Sequence, residues 1–309
     1  MSLTQVRDQA IRLAEFATGT LRGFALAHGI AYTEKDITDL RATGANVVRI
    51  PLHWTGGLRP DLAEVKRLLV LCARYDIRAI VVMCPISLDY WSDPQVQQDL
   101  VSVWQWTAGQ LRMYPALQAY DIINEPVGTQ YNIQQKTQWM SIAQVLVTAL
   151  RAADTKTPIM VEPCWWGLPS SFWQTLPVKV SGLVYSFHFY EPHEYTHQTL
   201  DGNPTPIPLP PDTVFSDVLE AHNFAALHRV PMFIGEFSVI RWAPGRETWI
   251  QRAIDLFVSQ GWGWTYHVWR DWEGWDCEIP STVPAWSGTA QDRSSTSPVL
   301  LALKQKMKT

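Results

Sequence analysis

No stretch of the sequence approaches the about 20 consecutive apolar residues that a membrane-spanning helix needs, so no helical span is expected. Basic runs are missing as well. With 25 Lys and Arg against 29 Asp and Glu, a net charge of −4 and a pI near 6.1, neither nucleic acid nor an anionic membrane surface is a natural partner. Cysteine is scarce: Cys72, Cys84, Cys164 and Cys277 form no CxxC pair and no tight metal spacing, which suits free thiols in a reducing compartment. No His-x-His occurs, and the His-Glu-x-x-His spacing of His193-Glu194-Tyr195-Thr196-His197 falls in a proline-rich stretch without helical periodicity, so a metal-dependent hydrolase finds little footing, and no metal or organic cofactor is expected. The opening Met-Ser-Leu-Thr-Gln-Val-Arg-Asp lacks the apolar core of a secretory leader. The chain as it stands therefore reads as cytoplasmic, and as secreted if a leader has been removed. What the sequence has in excess is tryptophan, sixteen against ten each of tyrosine and phenylalanine. Flat indoles stack on the apolar faces of sugar rings, so the surplus leans towards carbohydrate, although packing will claim many of them.

A length of 309 residues fits one barrel of about 250 residues with its loops. Apolar positions at Leu3, Val6, Ala10, Leu13 and Ala14 have the spacing of an amphipathic helix that caps the barrel. Strands are then expected over residues 21–27, 46–51, 78–83, 117–126, 158–162, 183–189, 230–237 and 263–269. Between them lie helical patterns over 33–43, 62–75, 94–113, 134–153, 212–228 and 245–260, and a last helix spans 297–306. Thr33 and Asp36 have the spacing of a capping box at the start of the first of these. No internal repeat is visible. Strands alternating with helices in this way predict an α/β fold, a closed (β/α)8 TIM barrel, as a single domain with residues 1–20 as the N-terminal helix and 21–309 as the barrel. Residues 191–211 carry six prolines and no periodicity. At the catalytic rim such a loop is expected to wall the substrate cleft.

Two strands end in a carboxylate. The run from 117 to 126 closes in Asn124-Glu125-Pro126, and Pro126 cannot donate to a ladder. The run from 230 to 237 closes in Gly235-Glu236-Phe237. A glutamate after a strand is as readily a helix cap as a catalytic group. Two of them at the rim where barrels build active sites point to the acid and the nucleophile of retaining glycoside hydrolysis.

With these motifs in view, residues 21 to 272 resemble the clan A retaining glycosidases, and within them glycoside hydrolase family 5, which includes cellulases and mannanases. The resemblance implies Glu125 as acid/base after strand 4 and Glu236 as nucleophile after strand 7. It further implies that Arg49, in Gly-Ala-Asn-Val-Val-Arg-Ile-Pro, holds Glu236 ionised, and that Asn124 binds the hydroxyl next to the anomeric carbon. His188 and Tyr190 match the family's His-x-Tyr after strand 6, and Trp269 its indole platform under the sugar. The expected partner is an oligo- or polysaccharide, and the expected state a monomer.

One departure stands out. Many members place a histidine just after strand 3, where this chain has Met83-Cys84-Pro85-Ile86; His28, His53 and Asp89 are candidates to replace it. Alongside a retaining β-glycosidase acting on a β-linked glucan or mannan, the open readings are a transglycosylase on the same site and a carbohydrate-binding barrel without turnover. Among the indoles, Trp54, Trp91, Trp165, Trp166, Trp242, Trp272 and Trp275 fall in rim loops, while Trp104, Trp106, Trp139, Trp173, Trp249 and Trp262 are assigned to structure.

Overall fold

The structure, a computed structural model, describes residues 3–198, 206–211, 216 and 218–307. Eight parallel strands close on themselves in chain order, β1 (Arg22–Leu26), β2 (Val47–Trp54), β3 (Arg78–Pro85), β4 (Leu117–Asp121), β5 (Ile159–Val161), β6 (Leu183–Phe189), β7 (Met232–Phe237) and β8 (Gly263–Trp269). Helix α1 (Leu3–Ala17) precedes them. Between strands run α2 (Glu34–Ala42), α3 (Ala63–Arg74), α4 (Pro94–Leu111), α5 (Ile133–Ala153), α6 (His193–His197), α7 (Leu219–His228) and α8 (Arg246–Ser259), and α9 (Pro298–Met307) ends the ring. The fold is the expected (β/α)8 barrel.

Helix ends follow local chemistry. Thr33 and Asp36 form the capping box of α2, the Asp36 amide donating to the Thr33 hydroxyl and the Thr33 amide to the Asp36 carboxylate. Asp93 caps α4 ahead of Pro94, and Asn132 caps α5. Strand ends shift more. β2 runs on past Pro51 to Trp54, because the β1 ladder ends at Arg49 and β2 continues to pair with β3 from Pro51↔Val82 to Trp54↔Pro85. β4 stops at Asp121, three residues before Asn124, so Asn124 and Glu125 lie in the turn that follows. The expected helix over 212–228 is described as Leu219–His228, and residues 212–215 and 217 lie outside the described residues. Within the proline-rich stretch, α6 makes a short helix, and 199–205 are likewise outside.

The period of two along each strand sorts the core into two faces. Val47, Ile80, Ala119, Met160, Val184 and Phe233, one per strand, form a buried apolar cluster with Phe16 and Leu21, and Leu13 packs against it. This is the floor of the barrel interior, and α1 closes it from below. The Phe16 ring meets Phe233 edge-on at 5.5 Å. Residues of the opposite parity, such as Val48, Val81, Tyr120, Tyr185, Ile234 and Trp264, join the larger core between barrel and helices.

Helix indoles reach from that outer core to the rim at the carboxyl ends of the strands. Trp104 donates to the Ile122 carbonyl at 3.0 Å, Trp139 to the Glu162 carbonyl at 2.8 Å and Trp249 to the Glu191 carbonyl at 3.1 Å. All three are buried, as expected for structural tryptophans, and each pins a strand-to-loop junction. Trp173 is more than half exposed and is no core residue, while Trp54, expected at the rim, is buried with its indole N–H on the Gly57 carbonyl.

Truncating the plug tests the role of α1. Phe16→Ala opens a cavity beneath the barrel floor and is expected to cost about 3–5 kcal/mol in a urea unfolding titration; a loss under about 1 kcal/mol would mean that α1 does not seal the barrel.

Candidate active site

Two residues further along β2, β4 and β5 the interior turns polar. Above the apolar floor, Arg49 on β2, Asp121 on β4 and Glu162 just past β5 point inward, with His188 on β6 one step higher, and all four are at most 2% exposed. Arg49 organises the layer. Its guanidinium donates to Asp121 Oδ2 at 2.9 Å, Glu162 Oε1 at 2.6 Å, Asn124 Oδ1 at 2.9 Å and Glu236 Oε1 at 2.6 Å.

The turn after β4 is held from two sides. The Asn124 amide donates to the Met83 carbonyl at 2.8 Å, and the Glu125 amide to Glu162 Oε2 at 2.8 Å. Glu125 has φ +45°, a left-handed conformation that costs a non-glycine residue about 1–2 kcal/mol, and the Glu162 hydrogen bond fixes it. Opposite, Tyr190 donates its hydroxyl to Glu236 Oε2 at 2.9 Å, and His188 Nδ1 lies 2.7 Å from Glu125 Oε1. Gly235 lets β7 pass beside His188: a Cβ there would sit 2.7 Å from Ser186 Oγ and 2.9 Å from His188 Nε2.

Charges in this layer act on one another. Burial alone would push the Glu236 carboxyl up, but His188, His267, Arg49 and the Tyr190 hydroxyl reverse this and hold it at about 2. Burial opposes a charge on His188, yet Glu162, Glu236 and Glu125 raise its pKa well above the usual imidazole range, so it is an imidazolium at neutral pH. Asp121 is pushed up by burial and by Glu162, while Glu162 is held down by His188 and Arg49 against its own burial. Arg49 and His188 thus lie among the acids Asp121, Glu162 and Glu236. Burial and the Glu236 and Glu125 carboxylates keep Tyr190 a neutral donor.

A cleft of about 810 Å³ opens over this layer, lined among others by Asn124, Glu125, His188, Tyr190, Glu236 and Trp275. Six of the seven site residues read from the sequence thus converge on one place: Arg49, Asn124, Glu125, His188, Tyr190 and Glu236. Trp269 does not. Its indole is 1% exposed, packed 4.9 Å from Phe24 and beneath the Arg270 guanidinium at 4.7 Å, because the register of β8 on β1 shifts between Phe24 and Leu26 and turns Trp269 into the outer core. The β8 residue that faces the cleft is His267, with Nδ1 3.5 Å from Glu236 Oε2.

Sequence reasoning passed over Glu162, Asp121 and His267. Glu162 had a visible signal, since Val161-Glu162-Pro163 repeats at strand 5 the carboxylate-proline ending of strand 4. Asp121 and His267 follow only from inward parity on strands whose register is known. Of the candidates for the absent strand-3 histidine, His28 and His53 stack with ring centroids 3.5 Å apart and line a smaller cavity of about 310 Å³ with Cys84, Asn124 and Glu236. Asp89 is spent on the turn it caps, accepting from the Trp91 and Ser92 amides.

One ligand atom each of Glu125, His188 and Glu236 lies within 4.8 Å of the others, close enough to hold an ion. The chemistry of the set argues otherwise, because an imidazolium that pairs with carboxylates has no lone pair to offer a metal.

Comparison with known proteins places these features. The sequence model of the family described as Cellulase (glycosyl hydrolase family 5) matches residues 12–273. Endoglucanase C of Acetivibrio thermocellus is 24% identical over 184 residues, which cover 54% of this chain and 52% of that protein. Endoglucanase H of the same organism is 23% identical over 283 residues, covering 81% of this chain and 30% of its own. The chain thus spans about half, or less, of the length of the curated relatives it matches. Among solved structures, Thermotoga maritima Cel5A in complex with cellobiose superposes with a TM-score of 0.80 at 18% identity, covering 94% of this chain and 99% of that one. The same protein in complex with mannotriose gives 0.79 at 17% identity, with 94% and 99% covered. At these identities the superpositions establish the fold.

The electrostatics are testable without reference to turnover. Carboxyl NMR should place the Glu236 titration near pH 2, and in His188→Gln, which removes the cation that lowers it most, the midpoint should climb towards the ordinary 4.5; an unchanged midpoint would mean that His188 is not what holds Glu236 ionised.

Proposed function

Because the chain belongs to the cellulase family of glycosyl hydrolases, family 5, we propose that it hydrolyses a β-linked glucan within the chain, by double displacement at Glu125 and Glu236. The observation that carries the mechanism is the closeness of the two carboxylates. An oxygen of Glu125 and one of Glu236 lie within 4.8 Å. Retention uses a spacing of about 5–5.5 Å, whereas inversion needs about 6.5–9.5 Å to admit a water between them.

In the first step an oxygen of Glu236 attacks the anomeric carbon while Glu125 delivers a proton to the glycosidic oxygen. The carbon–oxygen bond to the leaving sugar breaks, that sugar departs as an alcohol, and a glycosyl ester remains on Glu236. Arg49 and Tyr190 hold one Glu236 oxygen each, 2.6 Å and 2.9 Å away, and so aim the nucleophile and keep it ionised. Esterification removes the Glu236 charge, and Glu125 then takes a proton from the water that attacks the same carbon. The ester breaks, Glu236 leaves as carboxylate, Glu125 is again protonated, and the product keeps its configuration. Asn124, oriented by Arg49 at 2.9 Å, is placed to bind the neighbouring hydroxyl of the sugar.

Glucan is favoured over mannan because the relatives with sequence similarity are named endoglucanases. Trp166 and Trp275 line the cleft and offer indole faces to further sugar rings, which suits internal cleavage.

Reducing-end release from β-1,4-glucan, mixed-linkage glucan, xylan and mannan tests this reading. Glu236→Gln should lower kcat by about 10⁴-fold or more. Activity that survives in that variant would contradict the assignment of the nucleophile, and silence of the wild type on every polymer would favour a sugar-binding barrel without turnover. Glu125→Gln should lower kcat about 10²- to 10⁴-fold on polymer and far less on the glycosylation of an aryl glycoside, whose phenolate leaves without protonation. Equal losses on both substrates would argue against Glu125 as the acid.

A further inference from the structure

The loop from β8 to α9, together with Trp242 from the loop between β7 and α8, carries an indole cluster that runs out from the cleft. Trp275 lines the cleft, 6.1 Å from both the Tyr190 and His267 rings. From there the rings continue outward: Trp272 lies 5.9 Å from Trp275, Trp242 lies 5.8 Å from Trp272, and Trp286 packs 5.4 Å from Trp272 and 5.0 Å from Trp242. Exposure rises along the same path. Trp275, Trp272 and Trp242 are half-buried and Trp286 is 60% exposed.

This is a built surface. Arg241 is fully buried beneath it and donates to the carbonyls of Glu273 at 3.2 Å and Pro284 at 2.9 Å, to that of Val283, and to the Glu273 carboxylate. Glu273 in turn accepts from the Gly288 amide at 2.7 Å, so both ends of the segment bearing Trp286 are tied to one buried cation. Gly274 has no Cβ to block the Trp272 ring that lies over it. A contiguous apolar patch presented to water on so fixed a scaffold calls for an occupant.

We infer that Trp242, Trp272 and Trp286 form a second carbohydrate surface, on which a β-linked pyranose chain lies after it leaves the cleft past Trp275. The occupant follows from continuity with the cleft and from chemistry: a pyranose whose substituents are equatorial shows flat C–H faces that match an exposed indole. Arg241 beneath the patch is buried and tied to Glu273, so it offers no charge to a charged partner. The inference takes its ligand class from the hydrolase reading, but the site would bind polymer whether or not the cleft turns over.

Affinity electrophoresis through gels containing hydroxyethyl cellulose provides the test, run in a Glu236→Gln background so that the polymer stays intact. Trp286→Ala should bind the polymer about tenfold more weakly, while Trp286→Phe, which keeps a ring face, retains most of the retardation. In the otherwise wild-type chain, Trp286→Ala should leave kcat/KM on a short aryl β-cellobioside within about twofold. Retardation equal in the two Trp286 variants and the parent, or no retardation of the parent, overturns the inference. So does a change in oligomeric state on size exclusion without a change in retardation, which would assign the patch to a second copy of the chain. Retardation that depends on Trp286 in a protein that hydrolyses no glycoside would leave this site standing and remove the hydrolase reading instead.

Discussion

A guanidinium buried inside a barrel is the constraint on which the site depends. Arg49 has almost no contact with water, and its charge persists only because carboxylates from three other strands or strand ends surround it. Removing one partner of such a buried set costs about 3–5 kcal/mol, because the remaining charge is left uncompensated. The cluster is therefore all-or-nothing. Arg49, Asp121, Glu162, His188 and Glu236 hold one another in place, and the consequence is a Glu236 that stays ionised near neutral pH while it lines the cleft.

The rest of the fold supplies the conditions for that cluster. An apolar floor closed by Phe16 keeps water from reaching the polar layer from below, and parity along the strands raises apolar side chains first and polar ones two residues later. The indoles of Trp104, Trp139 and Trp249 pin the carbonyls where strands 4, 5 and 6 become loops. Trp139 and the Glu125 amide meet at Glu162, one through its carbonyl and the other through its carboxylate, so packing on the outside of the barrel is transmitted to the turn that bears Glu125 by a single residue.

How legible this was depends on how local each signal is. Helix caps are settled by residues three apart, and Thr33 with Asp36 could be read directly. The alternation of strands and helices was plain, as were Glu125 and Glu236, because strand ends advertise themselves by an abrupt change from apolar to charged. Glu162 was obscured by the buried strand that bears it, where a lone carboxylate reads as an end marker until its partners on β2 and β6 are known. Trp269 shows the opposite failure. The family resemblance aimed it at the sugar, but the register shift against β1 turns it into the outer core and leaves His267 at the cleft. Register between strands far apart in sequence is a tertiary property, and no local pattern encodes it.

On the proposed mechanism Glu236, held at low pKa by its neighbours, becomes covalently bonded to the sugar. Incubation with an activated 2-deoxy-2-fluoro β-glycoside, whose fluorine slows breakdown of the glycosyl ester, followed by mass spectrometry of the digested protein, tests it most directly. The account predicts one added glycosyl group, on the peptide that contains Glu236. An adduct on Glu125, or steady turnover of substrate with no trapped ester, would contradict it.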